Sequence, residues 1–202
     1  MRIFGIDPGS TRTGYGCVET DGRRHQLVAC GAIAFPAATD LPQRLAHIHA
    51  ELTALLLASQ PDCVAIENIF HGSNARSALR LGHARGVAML AAVQAGCAVV
   101  EYTPAEIKRA VVGYGRAEKH QVQQMIKLLL GLNAVPSPHD AADALAVAIC
   151  HLHSMPPAAV LGRLKSAPTI SGQGPTTGVG ADFSRPVAKA KSWRQYRPPT
   201  PG

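Results

Sequence analysis

The order of short apolar runs along residues 1–155 most constrains the fold of this chain. Residues 2–6, 15–20 and 25–35 read as three strands, and the turn sequence DGRR separates the last two. Three consecutive strands with tight turns predict an antiparallel meander. A helix capped by Asp40 is then predicted to end at Gln60-Pro61. The apolar run CVAIE at 63–67 predicts a buried parallel strand that follows this helical crossover.

The second half of this region predicts helices around one more strand. We expect a strand in AVVEYTP at 98–104, and helices that begin at Asn74, Pro104, after GYGRAEKH, and at Ser137-Pro138. A meander joined to a parallel crossover half makes a mixed five-stranded sheet flanked by helices. The sequence therefore predicts an α/β fold.

Residues 156–202 differ from the rest in composition. They carry seven Lys or Arg against the single acid Asp182, and Pro, Gly, Ser and Thr replace the aliphatic residues that form a core. We interpret 1–155 as the folded domain and 156–202 as a disordered basic tail. Two interpretations of the tail stay open, a tether to a polyanion or a solvated extension.

The cysteines and the absence of long apolar runs indicate a cytoplasmic protein. The five cysteines form no Cys-x-x-Cys pair and lie in apolar segments, which favours buried free thiols in a reducing compartment. No signal peptide is visible, and no apolar run approaches the ~18 residues of a membrane span. We expect no membrane association.

Asp7 and Glu67 each end a buried strand. The sequence Asp-Pro-Gly-Ser makes Asp7 a good turn starter by itself. Glu67 is harder to explain in this way, because an unpaired carboxylate is costly to bury. Parallel neighbouring strands joined by a right-handed crossover end at the same edge of a sheet, so the two carboxylates would face one another. A divalent cation would relieve their repulsion.

Asp140 and Asp143 lie three residues apart, near the start of the last predicted helix. Capping by the pattern Ser137-x-x-Asp140 explains Asp140 but leaves Asp143 unexplained. His139 is either a proton carrier or ligand, or a solvent-facing residue of the first turn.

The four carboxylates predict a magnesium or manganese site. Hard oxygen ligands without soft competitors suit these ions rather than zinc. Four acids can hold two ions about 3.5–4 Å apart, the arrangement that activates water and stabilises the leaving oxygen in phosphodiester hydrolysis.

Five segments in sequence order resemble the bacterial RuvC family of crossover junction endodeoxyribonucleases, the Holliday junction resolvases. They are GIDPGSTRTGYG, AIENIF, NARSALRLGHARGVAM, VVGYGRAEKHQVQ and DAADALAVA. The resemblance covers roughly residues 1–155 and leaves the tail unmatched. It implies a ribonuclease-H-like fold, which agrees with the predicted order of elements.

The resemblance also implies an activity and its residues. The chain would be a hydrolase that resolves four-way DNA junctions in homologous recombination and DNA repair, by paired, metal-dependent cuts that leave 5′-phosphate and 3′-hydroxyl ends. Its partners would be junction DNA, a second copy bound through the helix after Asn74, and the RuvAB branch-migration complex. The matching residues are Asp7, Glu67, Asp140 and Asp143 as catalytic, metal-binding acids, Lys119 and Lys108 as active-site and DNA-contacting lysines, and Phe70 as the junction-contacting aromatic.

Basic residues suit a nucleic-acid substrate independently of the resemblance. Between Arg76 and Lys127 there are eight Lys or Arg against Glu101, Glu106 and Glu118. Arg76 and Arg80 are candidates for phosphate contacts, although any one of these residues could instead belong to a solvated helix face.

Three other functions remain possible from the sequence. GIDPGSTRTG also resembles the phosphate loop of actin-like ATPases and sugar kinases, but the second domain and the Asp-Gly-Gly-type loop of those phosphotransferases are missing. A ribonuclease-H-like nuclease acting on ribosomal RNA precursors is the second. The third is a binding module without activity, which the four intact acids disfavour.

Overall fold

The computed structural model describes residues 1–9, 11–36, 38–68 and 75–156, and these ranges contain the sheet and its helices. The strands are β1 (Arg2–Asp7), β2 (Arg12–Thr20), β3 (His25–Ala34), β4 (Cys63–Glu67) and β5 (Ala98–Tyr102). The helices are α1 (Leu41–Ser59), α2 (Ala75–Gln94), α3 (Pro104–Val112), α4 (Lys119–Leu129) and α5 (His139–Ser154).

The strands form one mixed sheet in the order β3-β2-β1-β4-β5. β1, β2 and β3 pair antiparallel, whereas β4 is parallel to both β1 and β5. The predicted meander and parallel crossover half are therefore confirmed. β2 begins at Arg12, earlier than the predicted residue 15, because Thr13 and Gly14 already pair with Ile33 and Ala32 of β3.

Helices cover both faces of the sheet. One core cluster contains Ile3 and Ala65 and packs against α3, α4 and α5. The other contains Phe4 and Ile66 and packs against α1 and α2. Successive residues of a strand point to opposite faces, so β1 and β4 contribute alternately to the two clusters. Both central strands are thus buried on both sides, as their near-continuous apolar sequences require.

Helix α5 lies unusually close to β1 and β2. A Cβ atom at Gly5 would overlap the carbonyl oxygen of Ala144, and one at Gly14 would overlap that of Asp140. The absence of side chains at these two positions lets the helix backbone approach the sheet. This approach brings the start of α5 to the end of β1.

The starts of three helices test the predicted caps. The Asp40 side chain accepts a hydrogen bond from Gln43 N at 2.9 Å, as expected of the α1 cap. Thr103 and Glu106 form a capping box ahead of Pro104. α5 is different: its N-cap is Pro138 and no side chain caps it, so the capping explanation of Asp140 is wrong. The Asn74 cap lies outside the described residues.

Three remaining predictions concern the cysteines, membrane-spanning helices and the tail. All five cysteines are free thiols, three of them buried and two half-buried. Among the described helices, none combines the length and apolarity needed to cross a membrane. The predicted tail lies, apart from Pro156, outside the described residues, so its disorder stays a prediction.

Candidate active site

Two carboxylates meet where β1 and β4 end. Asp7 and Glu67 are the last residues of these strands, directly after the paired residues Ile6 and Ile66. Because side chains alternate along a strand, both acids point to the face that carries α5. The two side chains are within hydrogen-bonding reach of each other. The parallel register thus produces the juxtaposition expected from the sequence.

The start of α5 adds two further acids. Asp140 lies in the first turn, where its backbone contacts Gly14, the residue that pairs with Asp7 in the sheet. Asp143 follows three residues later on the same side of the helix. Its side chain is 21% exposed and forms an ion pair with Lys119, Nζ to Oδ2 2.6 Å.

A cavity of about 300 Å³ opens at this edge of the sheet. Three of the four acids line it together with two lysines, and apolar residues form the walls. The lining residues are Asp7, Glu67, Asp143, Lys108, Lys119, Pro104, Ile107, Val122 and Ala146. Asp140 lies beside the cavity rather than in its lining, but its charge acts on both Asp7 and Lys119.

Crowding of the acids perturbs their protonation. Burial, then the hydrogen bond and charge of Glu67, and then the charges of Asp143 and Asp140 raise the pKa of Asp7 to about 8. The pKa of Glu67 is also raised, mainly by burial, while the hydrogen bond with Asp7 acts in the opposite direction. Asp7 is therefore the protonated partner and donates to Glu67. A proton occupies the space between two carboxylates that cannot both be charged without a cation.

Lys119 supplies the compensating charge on the other side of the cavity. Its hydrogen bond to Asp143 and the charges of the surrounding acids raise the pKa of Lys119, so its ammonium group stays charged. Lys119 is the first residue of α4, and its side chain reaches across to α5. Its ammonium group thus occupies a position where a bound cation would neutralise the same acid.

The chemistry of these residues suits a divalent metal ion. The donor atoms are carboxylate oxygens, which Mg²⁺ and Mn²⁺ prefer. Asp7 and Glu67 share a proton, and Asp143 binds an ammonium group, so the acids already compete for positive charge. Within the described ranges, no three His, Cys, Asp or Glu side chains converge closely enough to form a ready metal cage. A metal would have to displace the proton and the ammonium group to bring the acids together.

The remaining candidates from the sequence lie at different distances from the cavity. Lys108 lines it, whereas Arg76 and Arg80 are exposed in the first turns of α2. His139 is exposed and accepts at Nδ1 from the Gln123 side chain, Nε2 to Nδ1 3.1 Å. Phe70 lies outside the described residues.

Sequence reasoning missed the residues that support the site. Gln123 is only 8% exposed and holds His139, and a buried amide in the apolar pattern of α4 was the available signal. Ile107 and Val122 form cavity walls but have the sequence appearance of ordinary core residues. No pattern within one helix could identify their place in the same cavity as the acids.

Comparisons with known proteins agree with this geometry. The family model described as Crossover junction endodeoxyribonuclease RuvC matches residues 3–151. A curated relative of that name from Syntrophomonas wolfei is 50% identical over 154 residues, covering 76% of this chain and 90% of the relative. One from Chloroflexus aggregans is 51% identical over 156 residues, covering 77% and 95%.

Solved structures show the same similarity. The Thermus thermophilus RuvC in complex with Holliday junction substrate superposes with a TM-score of 0.70 at 32% identity, covering 76% of this chain and 94% of that one. The similarity thus extends over nearly the whole length of the related protein.

Proposed function

The chain belongs to the RuvC family of crossover junction endodeoxyribonucleases, and on that basis we propose that it resolves four-way DNA junctions during recombination and repair. The products are nicked duplexes with 5′-phosphate and 3′-hydroxyl ends. The observation that carries the proposal is the cavity in which Asp7, Glu67 and Asp143 meet Lys108 and Lys119. Such a combination of acids and cations suits hydrolysis of a phosphodiester.

Asp7, Glu67, Asp140 and Asp143 are proposed to hold the metal, Mg²⁺ with Mn²⁺ as a substitute, as two ions per site. When bound, the ions activate water for in-line attack and stabilise the leaving oxygen. Asp7 gives up its proton on binding, because the cation replaces it as the positive charge between the two carboxylates. The close contact of Asp140 with Gly14 fixes one acid relative to the sheet.

The lysines have different proposed roles. Lys119 has a side chain that is 61% exposed, so its ammonium group can leave Asp143 and contact the scissile phosphate. There it stabilises negative charge that develops on the phosphate oxygens. Lys108, on the α3 wall of the same cavity, binds the substrate phosphate from the other side.

His139 is the proposed proton carrier. Its Nδ1 accepts from Gln123, so a neutral ring carries its proton on Nε2. The ring is exposed next to Asp140, where it can exchange protons with solvent. Gln123 positions this ring and does not itself touch the reacting atoms.

Contacts beyond the cleavage site position the junction. Arg76 and Arg80 are exposed at the start of α2 and are proposed to bind the phosphate backbone. Phe70 is proposed to contact the junction bases, by resemblance alone. The proposed basic tail, 156–202, adds sequence-independent attraction to DNA.

Helix α2 is the proposed dimer interface. It presents three largely exposed apolar side chains, Leu79 at 63%, Leu90 at 50% and Val93 at 63%. Gly82 and Gly86 lie between them, and Cβ atoms there would meet nothing within 4 Å. The spacing of three, four, four and three residues places all five on one stripe, which suits close packing against a second copy. A two-fold dimer would present one site to each of two like strands.

Family membership also supports a cytoplasmic location and cooperation with the RuvAB branch-migration complex. Both are proposals for this chain. A pull-down of purified RuvAB with junction DNA, with and without this protein, tests the second.

Cleavage of a synthetic four-way junction beside a linear duplex of the same sequence tests the proposed function. We expect Mg²⁺-dependent, symmetrical nicking of the junction and little cleavage of the duplex. Asp7→Asn should abolish cleavage while junction binding persists, and Asp62→Asn, which removes an exposed acid at the far end of the sheet, is the matched control. Equal cleavage of linear duplex or structured RNA precursors would refute the junction assignment.

A further inference from the structure

Two histidines meet at the edge of the sheet opposite the acids. His25 begins β3 and His153 is near the end of α5. Their ring centroids are 5.6 Å apart and the rings are tilted by 47°, which is neither parallel stacking nor an edge-on contact. β1 extends for about 20 Å between this edge and Asp7, so the pair is separate from the active site.

The hydrogen bond of His153 fixes its tautomer. Its Nδ1 lies 2.9 Å from the carbonyl oxygen of Ala110 in α3. A carbonyl oxygen can only accept, so Nδ1 carries the hydrogen. In the neutral ring, Nε2 therefore has a free lone pair.

The tautomer of His25 follows from a chain of two hydrogen bonds. The Thr20 hydroxyl donates to the carbonyl oxygen of Arg24 at 3.0 Å, which uses its only hydrogen. His25 Nδ1 lies 3.1 Å from the same hydroxyl oxygen and must donate to it. Nε2 of His25 is thus also a lone-pair donor. Burial and the neighbouring His153 lower the pKa of His25, which favours the neutral form.

The two Nδ1 hydrogen bonds match one feature of metal-binding histidines. A ligating imidazole almost always donates its other N–H to a carbonyl or comparable acceptor, which orients the ring. With Zn–N bonds of about 2.0–2.1 Å and a tetrahedral angle, the centres of two ligating rings lie about 5.2 Å apart. The observed separation of 5.6 Å is a few tenths of an ångström longer, so a small movement of one ring would bring the pair to this distance. Imidazole nitrogen suits Zn²⁺, Ni²⁺ and Cu²⁺, and Mg²⁺ binds it poorly.

The surroundings of His153 are open to solvent. A cavity of about 380 Å³ lies beside this histidine, so water can reach it. The lining of this cavity contains one acidic and one basic side chain, so neither sign of charge dominates. Its lining residues are Glu106, Arg109, Ala110, His153 and Ser154.

We propose that His25 and His153 form a second metal site that binds one exchangeable transition-metal ion, such as Zn²⁺, through their Nε2 atoms. The ion joins β3 to the end of α5, while Ala110 and Thr20 orient the two rings from α3 and β2. Water completes the coordination, because no third His, Cys, Asp or Glu of the described residues joins this pair in a metal-binding group. The site is independent of the proposed nuclease reaction.

Zn²⁺ titration of the full chain in saturating Mg²⁺ tests the proposal, since Mg²⁺ occupies the carboxylates. We expect calorimetry to detect a Zn²⁺ site, and the imidazole ¹⁵N signals of His25 and His153 to shift together. His153→Gln keeps an N–H donor for Ala110, and His25→Gln keeps one for Thr20, so both variants should fold. Loss of a group that hydrogen-bonds to a metal ligand lowers metal affinity about 10–100-fold. Loss of the ligand itself should therefore lower Zn²⁺ affinity at least as much.

His49→Gln is the matched control, because His49 pairs with Gln94 at 2.7 Å on another part of the surface. It should leave Zn²⁺ binding and both imidazole shifts unchanged. Zn²⁺ affinity that survives in His153→Gln overturns the proposal. The proposal is also overturned if Zn²⁺ shifts the imidazole signals of His153 but not those of His25. An equal loss of Zn²⁺ binding in His49→Gln overturns it as well. Junction cleavage in Mg²⁺ should be the same in His25→Gln and His153→Gln as in the wild type. Failure of the zinc proposal can therefore be distinguished from failure of the proposed function.

Discussion

Replacing Asp7 by Asn should stabilise the metal-free protein while it removes activity. The native pKa of about 8 exceeds the ordinary value of 3.8, so the folded protein binds more protons than the unfolded chain between these pH values. Stability therefore falls as pH rises through this interval, and the loss is complete above pH ~8. At about 1.36 kcal/mol per pKa unit, the largest possible loss in the free energy of unfolding is roughly 6 kcal/mol. Because Asp7 shares its charge with Glu67, we expect Asp7→Asn to raise the free energy of unfolding by only about 2–3 kcal/mol at pH 8.

Urea unfolding of both proteins at pH 5 and pH 8, with EDTA and with Mg²⁺, measures this effect. The wild type should lose stability between pH 5 and pH 8 in EDTA and regain it in Mg²⁺, because the ion binds only the folded state. The variant should show a weaker response to both. Asp21→Asn is the control of opposite sign, because backbone N–H groups lower the pKa of this exposed carboxyl. Equal or lower stability of Asp7→Asn at pH 8 would refute the account of crowded acids.

Four further predictions concern Lys119, the exposed face of α2, Gly14 and the tail. Lys119→Met should lower single-turnover cleavage about 10²–10³-fold with little change in junction affinity, and an equal loss of both would assign Lys119 to binding alone. Leu90→Arg should dissociate the proposed dimer in analytical ultracentrifugation, whereas Leu128→Arg, at a 70% exposed leucine of α4, should not. Gly14→Ala should cost about 1–3 kcal/mol in unfolding experiments, because its Cβ overlaps the Asp140 carbonyl, whereas Gly82→Ala meets open space and should be tolerated. Deleting 156–202 should weaken junction binding mainly at low salt, and unchanged affinity would make the tail a mere extension.

Much of the fold could be predicted because its signals are local. Alternating and continuous apolar runs identified all the strands of the described sheet, and the Asp40 cap and a proline at the first helical position, Pro104, identified helix starts. The early start of β2 was missed because Gly14, a residue type depleted in strands, separates Thr13 from the apolar run that follows. Their pairing depends on β3 and on β1, which lie elsewhere in the sequence.

The candidate site was only partly accessible from the sequence. Asp7 and Glu67 could be placed together because parallel strands end at one edge of a sheet. The capping explanation of Asp140 was wrong because Pro138 occupies the cap and α5 is held by its contact with Gly14. That contact joins residues far apart in the chain, and no spacing rule encodes it.

The sequence by itself determined which residues are candidates for the chemistry and which elements hold them, because propensity, capping and strand order act over short distances. Tertiary structure alone decided how they combine. The Lys119–Asp143 ion pair, the Gln123–His139 hydrogen bond and the pairing of His25 with His153 each join two elements. Such contacts depend on how closely helices approach the sheet, and packing of the whole core sets that distance.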